Sequence, residues 1–170
     1  VDGLIMGTRC GSTDPGALIY IAEKEGLNLN RLSVLINKES GMLGVTGVSS
    51  DMRDIRAAAQ SGNERAQLAI EMFAARIKKF IGSYAALMGG LDMIVFTGGI
   101  GENDALTRRL VSENLEFMGV RFNAELNENV HGENTLLSLP DSRVKVAVVA
   151  TNEELVIASD TFRLTSPSVK

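Results

Sequence analysis

Four short segments of this 170-residue chain carry residues whose types and spacing suit phosphate chemistry. The most informative is Thr97-Gly98-Gly99-Ile100-Gly101-Glu102-Asn103, set between an apolar run and a helical pattern. Small residues at the carboxyl end of a buried strand let a ligand approach the backbone. The helix that follows offers free N–H groups and a positive dipole end, which suit phosphate or nucleotide. The same residues also fit a tight strand-to-helix turn with no ligand. The segment is neither a P-loop nor a dinucleotide fingerprint, because no Gly-Lys-Ser/Thr follows it and Gly-x-Gly-x-x-Gly is absent. A second segment, Val149-Ala150-Thr151-Asn152-Glu153-Glu154, again runs from a buried strand into acidic residues at a helix start. Carboxylates there suit Mg²⁺ held through water beside a phosphate. They suit equally a helix start in which Thr151 caps and Glu153 and Glu154 answer the dipole.

The third segment is Gly7-Thr8-Arg9-Cys10-Gly11, an arginine between glycines. Its planar fork of donors matches carboxylate or phosphate, and a solvated surface arginine is the plain alternative. The fourth is Ser49-Ser50-Asp51-Met52-Arg53-Asp54, where Asp51 and Arg53 suit either a nucleotide contact or a helix cap with an exposed charge pair. His131 sits in a polar stretch with no partner in view and reads as a surface residue. Cys10 is the only cysteine, which excludes an intrachain disulfide and a cysteine metal cluster.

The elements that position these segments follow from hydrophobic period and capping residues. Asp14-Pro15 starts a helix that carries Leu18, Ile21 and Ala22 inward and ends at Gly26. A second helix spans 29–38, and 40–50 reads as a glycine-rich loop. A third helix covers 51–60 and closes at Ser61-Gly62. The clearest pattern follows: Ala66, Ala69, Ile70, Phe73, Ile77, Phe80, Ile81, Tyr84 and Leu87 recur at spacings of three and four. That is one face of a core helix over 63–88, ended by Gly89-Gly90. The run 91–97 reads as a strand buried in a parallel sheet, followed after the glycine turn by a helix over 104–118. Short strands are expected near 120–123 and 135–139 and a buried one over 144–150. A last helix runs to about Phe162 and a polar tail over 166–170. Helices alternating with buried strands define an α/β class.

Composition narrows the options. Hydrophobic residues at 45% and charged residues at 22% describe an ordinary globular protein of one domain, not a disordered or collagen-like one. A net charge of −4, no Trp and 5% aromatics exclude a basic nucleic-acid-binding surface. No apolar run reaches the roughly 18–20 residues of a membrane span, and no signal peptide precedes the pattern, so the expected location is the cytoplasm. Of the seventeen glycines, one residue in ten, many fall in 3–16, 41–47 and 98–101.

Together these segments resemble the carboxyl-terminal half of the acetate kinase family. The resemblance rests on Met6-Gly7-Thr8-Arg9-Cys10-Gly11 with Asp14-Pro15, Asn37-Lys38-Glu39-Ser40-Gly41 and Ser49-Ser50-Asp51-Met52-Arg53-Asp54. It continues through Val95-Phe96-Thr97-Gly98-Gly99-Ile100-Gly101-Glu102-Asn103 and Thr151-Asn152-Glu153-Glu154-Leu155, in the family's order over nearly the whole chain. It implies a ribonuclease-H-like fold of the actin, sugar kinase and heat-shock chaperone superfamily, a mixed sheet flanked by helices. It implies reversible phosphoryl transfer between ATP and acetate, giving ADP and acetyl phosphate, with Mg²⁺. Close relatives acting on propionate or butyrate share much of the pattern, and a non-catalytic nucleotide-binding module of the superfamily is the other reading.

By the same resemblance Arg9 stabilises the transferring phosphoryl group, Asp51, Met52 and Arg53 contact the nucleotide, and Gly99, Ile100, Gly101, Glu102 and Asn103 form the adenosine loop. Glu153 is the Mg²⁺-associated glutamate. Residues 1–170 are then expected to be the single nucleotide-binding and dimerisation half of a two-domain kinase, lacking the amino-terminal domain and inactive alone. A homodimer is implied, with the stripe on the long helix serving a partner as well as the core. One departure is Ser12, where the family usually has Asp.

Overall fold

Capping residues mark most of the helix starts. In the computed structural model, which describes residues 1–166, Asp14 accepts a hydrogen bond from Ala17 N ahead of α1 (Pro15–Lys24). Asn28 does the same from Arg31 N for α2 (Leu29–Lys38), and Asn63 from Ala66 N for α5 (Glu64–Met88). Each satisfies one of the donors a helix leaves open at its first turn. Between them lie α3 (Gly41–Thr46) and α4 (Met52–Gln60). The expected loop over 40–50 is therefore partly helical, because a carbonyl-lined pocket accommodates its glycines, as described below.

Contacts gather the described chain into two compact units. One comprises Val1–Leu91 with Leu110–Glu113, the other Asp92–Arg109 with Asn114 onward. In the first, α3 and α4 pack on α5. Ala66, Ala69, Ile70, Phe73 and Ala74 of α5 are buried with Ile55, Met42 and Met52. The apolar stripe of α5 is core only in this first half. Farther along, Tyr84 and Leu87 are exposed, at 55% and 80%, so the expectation of a core helix fails over the last turns. There Gly3, Leu4, Ile77, Phe80, Ile81 and Tyr84 line an open apolar hollow of about 320 Å³.

The second unit holds a three-stranded mixed sheet in the order β1-β3-β2. β1 (Met93–Phe96) runs parallel to β3 (Lys145–Val148), with Ile94 opposite Val146 and Phe96 opposite Val148. β2 (Thr135–Leu136) pairs antiparallel with β3. β3 is buried over Val146, Ala147 and Val148, as its unbroken apolar run foretold. β1 alternates instead, with Ile94 and Phe96 buried and Met93 and Val95 about half exposed, so it is covered on one face only. Residues 120–123 contribute isolated bridges, Val120 to Val144 and Phe122 to Ser138, where a strand was expected.

After β1 the chain turns at once into α6 (Gly98–Asn103), then α7 (Ala105–Ser112), a 3₁₀ turn (Glu116–Met118) and α8 (Ala124–Asn127). The single helix expected over 104–118 is thus broken after Ser112, where Asn114 takes a positive φ of 60°. α9 (Glu153–Thr165) follows β3. Beyond Ser166 the polar tail lies outside the described residues.

Candidate functional site

Arg9 is carried on a loop whose backbone is tied down on every side. Met6 N donates to Arg9 O at 3.1 Å, Cys10 N to Ile36 O at 3.0 Å and Ser40 N to Thr8 O at 3.0 Å. Met42 N and Leu43 N, at the start of α3, donate to Met6 O and Gly7 O. Thr8 Oγ1 donates to Asn37 O at 3.0 Å. Gly41 makes this closeness possible: its φ is +67°, and a Cβ built there would stand 2.2 Å from Met6 O. The frame is rigid, while the Arg9 side chain is exposed and its guanidinium bonds to no described residue. A cation held on a fixed backbone with its donors unspent suits an anionic group.

Ser12 supplies a hydroxyl bonded within the same frame. Ser12 Oγ accepts from Gly3 N at 3.0 Å and donates to the Asp2 carboxylate at 2.6 Å. The Ser12 hydroxyl, with Gly3 N, holds the Asp2 carboxyl below the usual carboxylate range. A carboxylate therefore stands beside position 12, contributed by Asp2.

Residues 49–53 sit next to this loop, with the Gly7 Cβ position 3.3 Å from Ser50. Asp51 is the N-cap of α4 and accepts from Arg53 N at 2.8 Å. Its carboxylate also takes a bidentate grip from the Arg53 guanidinium, with contacts of 3.0 Å from Nε and 2.6 Å from Nη2. The Arg53 side chain, ahead of its backbone N–H, lowers the Asp51 pKa to about 2. Helix cap and exposed charge pair are both present. Met52 is buried at the start of α4, so its side chain serves the core.

In the second unit the parallel pairing of β1 and β3 has a direct consequence. Both strands end at the same edge, so the segments that follow them, 97–103 and 149–154, emerge side by side. Val149 N donates to Phe96 O at 2.9 Å, continuing the pairing to the mouth of the sheet. That is where open α/β sheets present ligand sites. The Glu102 carboxylate joins the segments, accepting from Gly98 N at 2.8 Å, Thr151 N at 2.9 Å and Thr151 Oγ1 at 2.7 Å. The hydrogen bonds from Thr151, then that from Gly98, hold the Glu102 carboxyl below its ordinary value. The expected cap shifts accordingly: with Thr151 turned to Glu102, Asn152 caps α9 by accepting from Leu155 N at 2.9 Å.

One residue essential to this arrangement escaped the sequence reading. Arg108 is fully buried, and all five of its guanidinium donors are used. Nη1 donates to Gly101 O at 3.1 Å and Glu102 O at 2.8 Å, while Nη2 donates to Asn127 O and Val130 O. Nε donates to Asn127 Oδ1 at 2.8 Å. Burial pushes the Arg108 pKa down, and the charges of Asp104 and Glu128 oppose this. The signal was available: Arg108 lies on the stripe of Ala105, Val111 and Ser112, all buried, at helical spacing. Arg108 thus holds the glycine loop from beneath, at the carbonyls of Gly101 and Glu102.

Glu153 is exposed at the first turn of α9. Among the described residues, no three His, Cys, Asp or Glu side chains gather as a metal cage. A single hard oxygen donor fits Mg²⁺, which keeps waters and takes further ligands from phosphate. His131 is exposed, as read. Among the described residues no helix is long and apolar enough to cross a membrane.

The sequence profile of the Acetokinase family matches residues 1–159. An acetate kinase of Porphyromonas gingivalis is 54% identical over 164 residues, covering 96% of this chain and 41% of that protein. The crystal structure of Porphyromonas gingivalis acetate kinase superposes with a TM-score of 0.92 at 53% identity, over 96% of this chain and 41% of that one. A propionate kinase from Francisella tularensis superposes with a TM-score of 0.84 at 41% identity, covering 94% and 40%. The chain therefore spans about two-fifths of the length of these relatives. With the fold and these sequence matches in agreement over nearly its whole length, the chain belongs to the acetokinase family.

Proposed function

We propose that the chain is the carboxyl-terminal, nucleotide-binding half of an acetate kinase, a ribonuclease-H-like domain that binds ADP or ATP with Mg²⁺. The observation that carries this reading is the pair of segments at the ends of β1 and β3, set side by side by the parallel register. Gly99, Ile100, Gly101 and Asn103 line the adenosine, backed by Arg108, and Asp51 and Arg53 contact the nucleotide. Glu153 would hold Mg²⁺, which when bound would supply positive charge to the phosphates. Arg9 would supply a further cation to the transferring phosphoryl group, as phosphoryl transfer requires.

The acceptor of the complete enzyme is acetate, giving acetyl phosphate. The similarity to a propionate kinase makes propionate the second candidate. An amino-terminal domain supplies the remaining groups, so this chain alone binds nucleotide without turnover. The exposed end of the α5 stripe serves a homodimer, and the enzyme works in the cytoplasm. Calorimetric titration of the 170-residue chain with ADP tests the reading. Saturable binding that tightens with Mg²⁺ is expected; no binding with or without Mg²⁺ refutes it. Restored acetyl phosphate formation on adding the amino-terminal domain separates a kinase half from a non-catalytic module.

A further inference from the structure

The segment that carries Glu153 has few anchors. No residue of α9 is buried, and past β3 the backbone is tied by Val149 N to Phe96 O, Ala150 N to Asn134 Oδ1 and Thr151 to Glu102. The last of these is the closest to Glu153. It uses one oxygen, Glu102 Oε1, which already accepts from Gly98 N and receives two donors from Thr151. Three donors on one carboxylate oxygen leave it no further capacity for a ligand. Beneath it, the Glu102 carbonyl is fixed by Arg108 Nη1 and by Gly132 N.

We infer that Glu102 is a positioning residue whose carboxylate latches the glycine loop to Thr151, so that the loop and the Glu153 helix start are set as one body. Its backbone belongs to the loop, while the oxygen that makes the latch, Oε1, is fully used by Gly98 and Thr151. The functional consequence rests on the nucleotide reading above; the latch itself does not. Because one oxygen takes all three hydrogen bonds, the latch depends on that acceptor, and glutamine, which keeps one carbonyl oxygen, substitutes in part.

Amide hydrogen exchange on the 170-residue chain without ligand is the first test, comparing Glu102→Ala, Glu102→Gln and the parent. The alanine variant is expected to speed exchange at both Gly98 and Thr151 at least tenfold, and the glutamine variant less. Amides of buried Val146 and Val148 should stay protected, which confirms that the unit is folded. Unchanged exchange at either Gly98 or Thr151 overturns the latch. The second test is ADP affinity with Mg²⁺ for Glu102→Ala, Thr151→Val and the double variant. If the carboxylate acts through Thr151, the double variant binds no more weakly than Glu102→Ala alone; multiplying losses overturn the inference in favour of a direct nucleotide contact. Should the parent chain bind no ADP while exchange behaves as expected, the nucleotide reading falls and the latch stands.

Discussion

Gly41 and Gly47 flank α3 with the same φ of +67°, yet only one of them is pressed against backbone. This makes the Arg9 frame measurable. Alanine in a left-handed conformation costs about 1–2 kcal/mol, which is the whole expected effect of Gly47→Ala, whose Cβ would meet open space. In Gly41→Ala the Cβ would stand 2.2 Å from Met6 O, 2.8 Å from Arg9 O and 2.9 Å from Arg9 N. Relief requires a shift on the order of 1 Å, enough to break Met42 N to Met6 O and Met6 N to Arg9 O. At about 0.5–1.5 kcal/mol each, these losses add about 1–3 kcal/mol to the conformational cost. Urea unfolding followed by far-UV circular dichroism reads the difference. With a slope of about 2 kcal/mol per molar, the Gly41→Ala midpoint should fall about 0.5–1.5 M below that of Gly47→Ala. Equal midpoints would refute the claim that close backbone approach at Gly41 builds the frame.

Arg9→Ala, which removes no bond in the described structure, should leave stability within about 0.5 kcal/mol. In the enzyme completed with its amino-terminal domain it should cut phosphoryl transfer by about a thousandfold or more; acetyl phosphate assays and urea midpoints check both halves. Arg108→Ala removes a donor from four backbone carbonyls and Asn127 Oδ1; Glu102 O keeps Gly132 N and Asn127 O keeps Val130 N, and each acceptor left unpaired costs about 1–3 kcal/mol. A loss of at least about 4 kcal/mol is expected, against about 0.5 or less for the exposed Arg163→Ala, and comparable losses would show that the buried network does not hold the loop. The Asp51 pKa is depressed, so its stabilising contribution is present above pH 3.8 and fades as pH falls toward about 2. Asp51→Asn should flatten that part of the acid-unfolding profile, and an unchanged profile refutes the assigned role of the Arg53 pair.

Helix starts were legible because they depend on local chemistry: Asp14, Asn28, Asp51 and Asn63 cap what their neighbours propose. The two buried strands that bring 97–103 and 149–154 together were legible from their apolar runs, whereas those segments fitted a turn and a helix cap as well as a ligand. α3 was hidden because Gly41 and Gly44 read as breakers, whereas the carbonyls that receive its first N–H groups lie more than thirty residues earlier, at Met6 and Gly7. The Thr151 cap was misplaced for a similar reason, its true partner being Glu102, 49 residues away. Arg108 was hidden by its type, since an arginine in a helix is ordinarily solvated. Its burial depends on carbonyls at 101, 102, 127 and 130 that no local pattern brings together.

The Asp2–Ser12 hydrogen bond bears on how this sequence can change. The two positions divide one carboxylate and one hydroxyl between them, so exchanging either one alters the surroundings of the other. An Asp at 12 beside Asp2 would set two negative charges where a 2.6 Å hydrogen bond now stands, and the exposed Asp2 would have to turn away or one of the pair take up a proton. Removing Asp2 alone would leave the site with no acid. A change at either position is therefore best tolerated when the other changes with it.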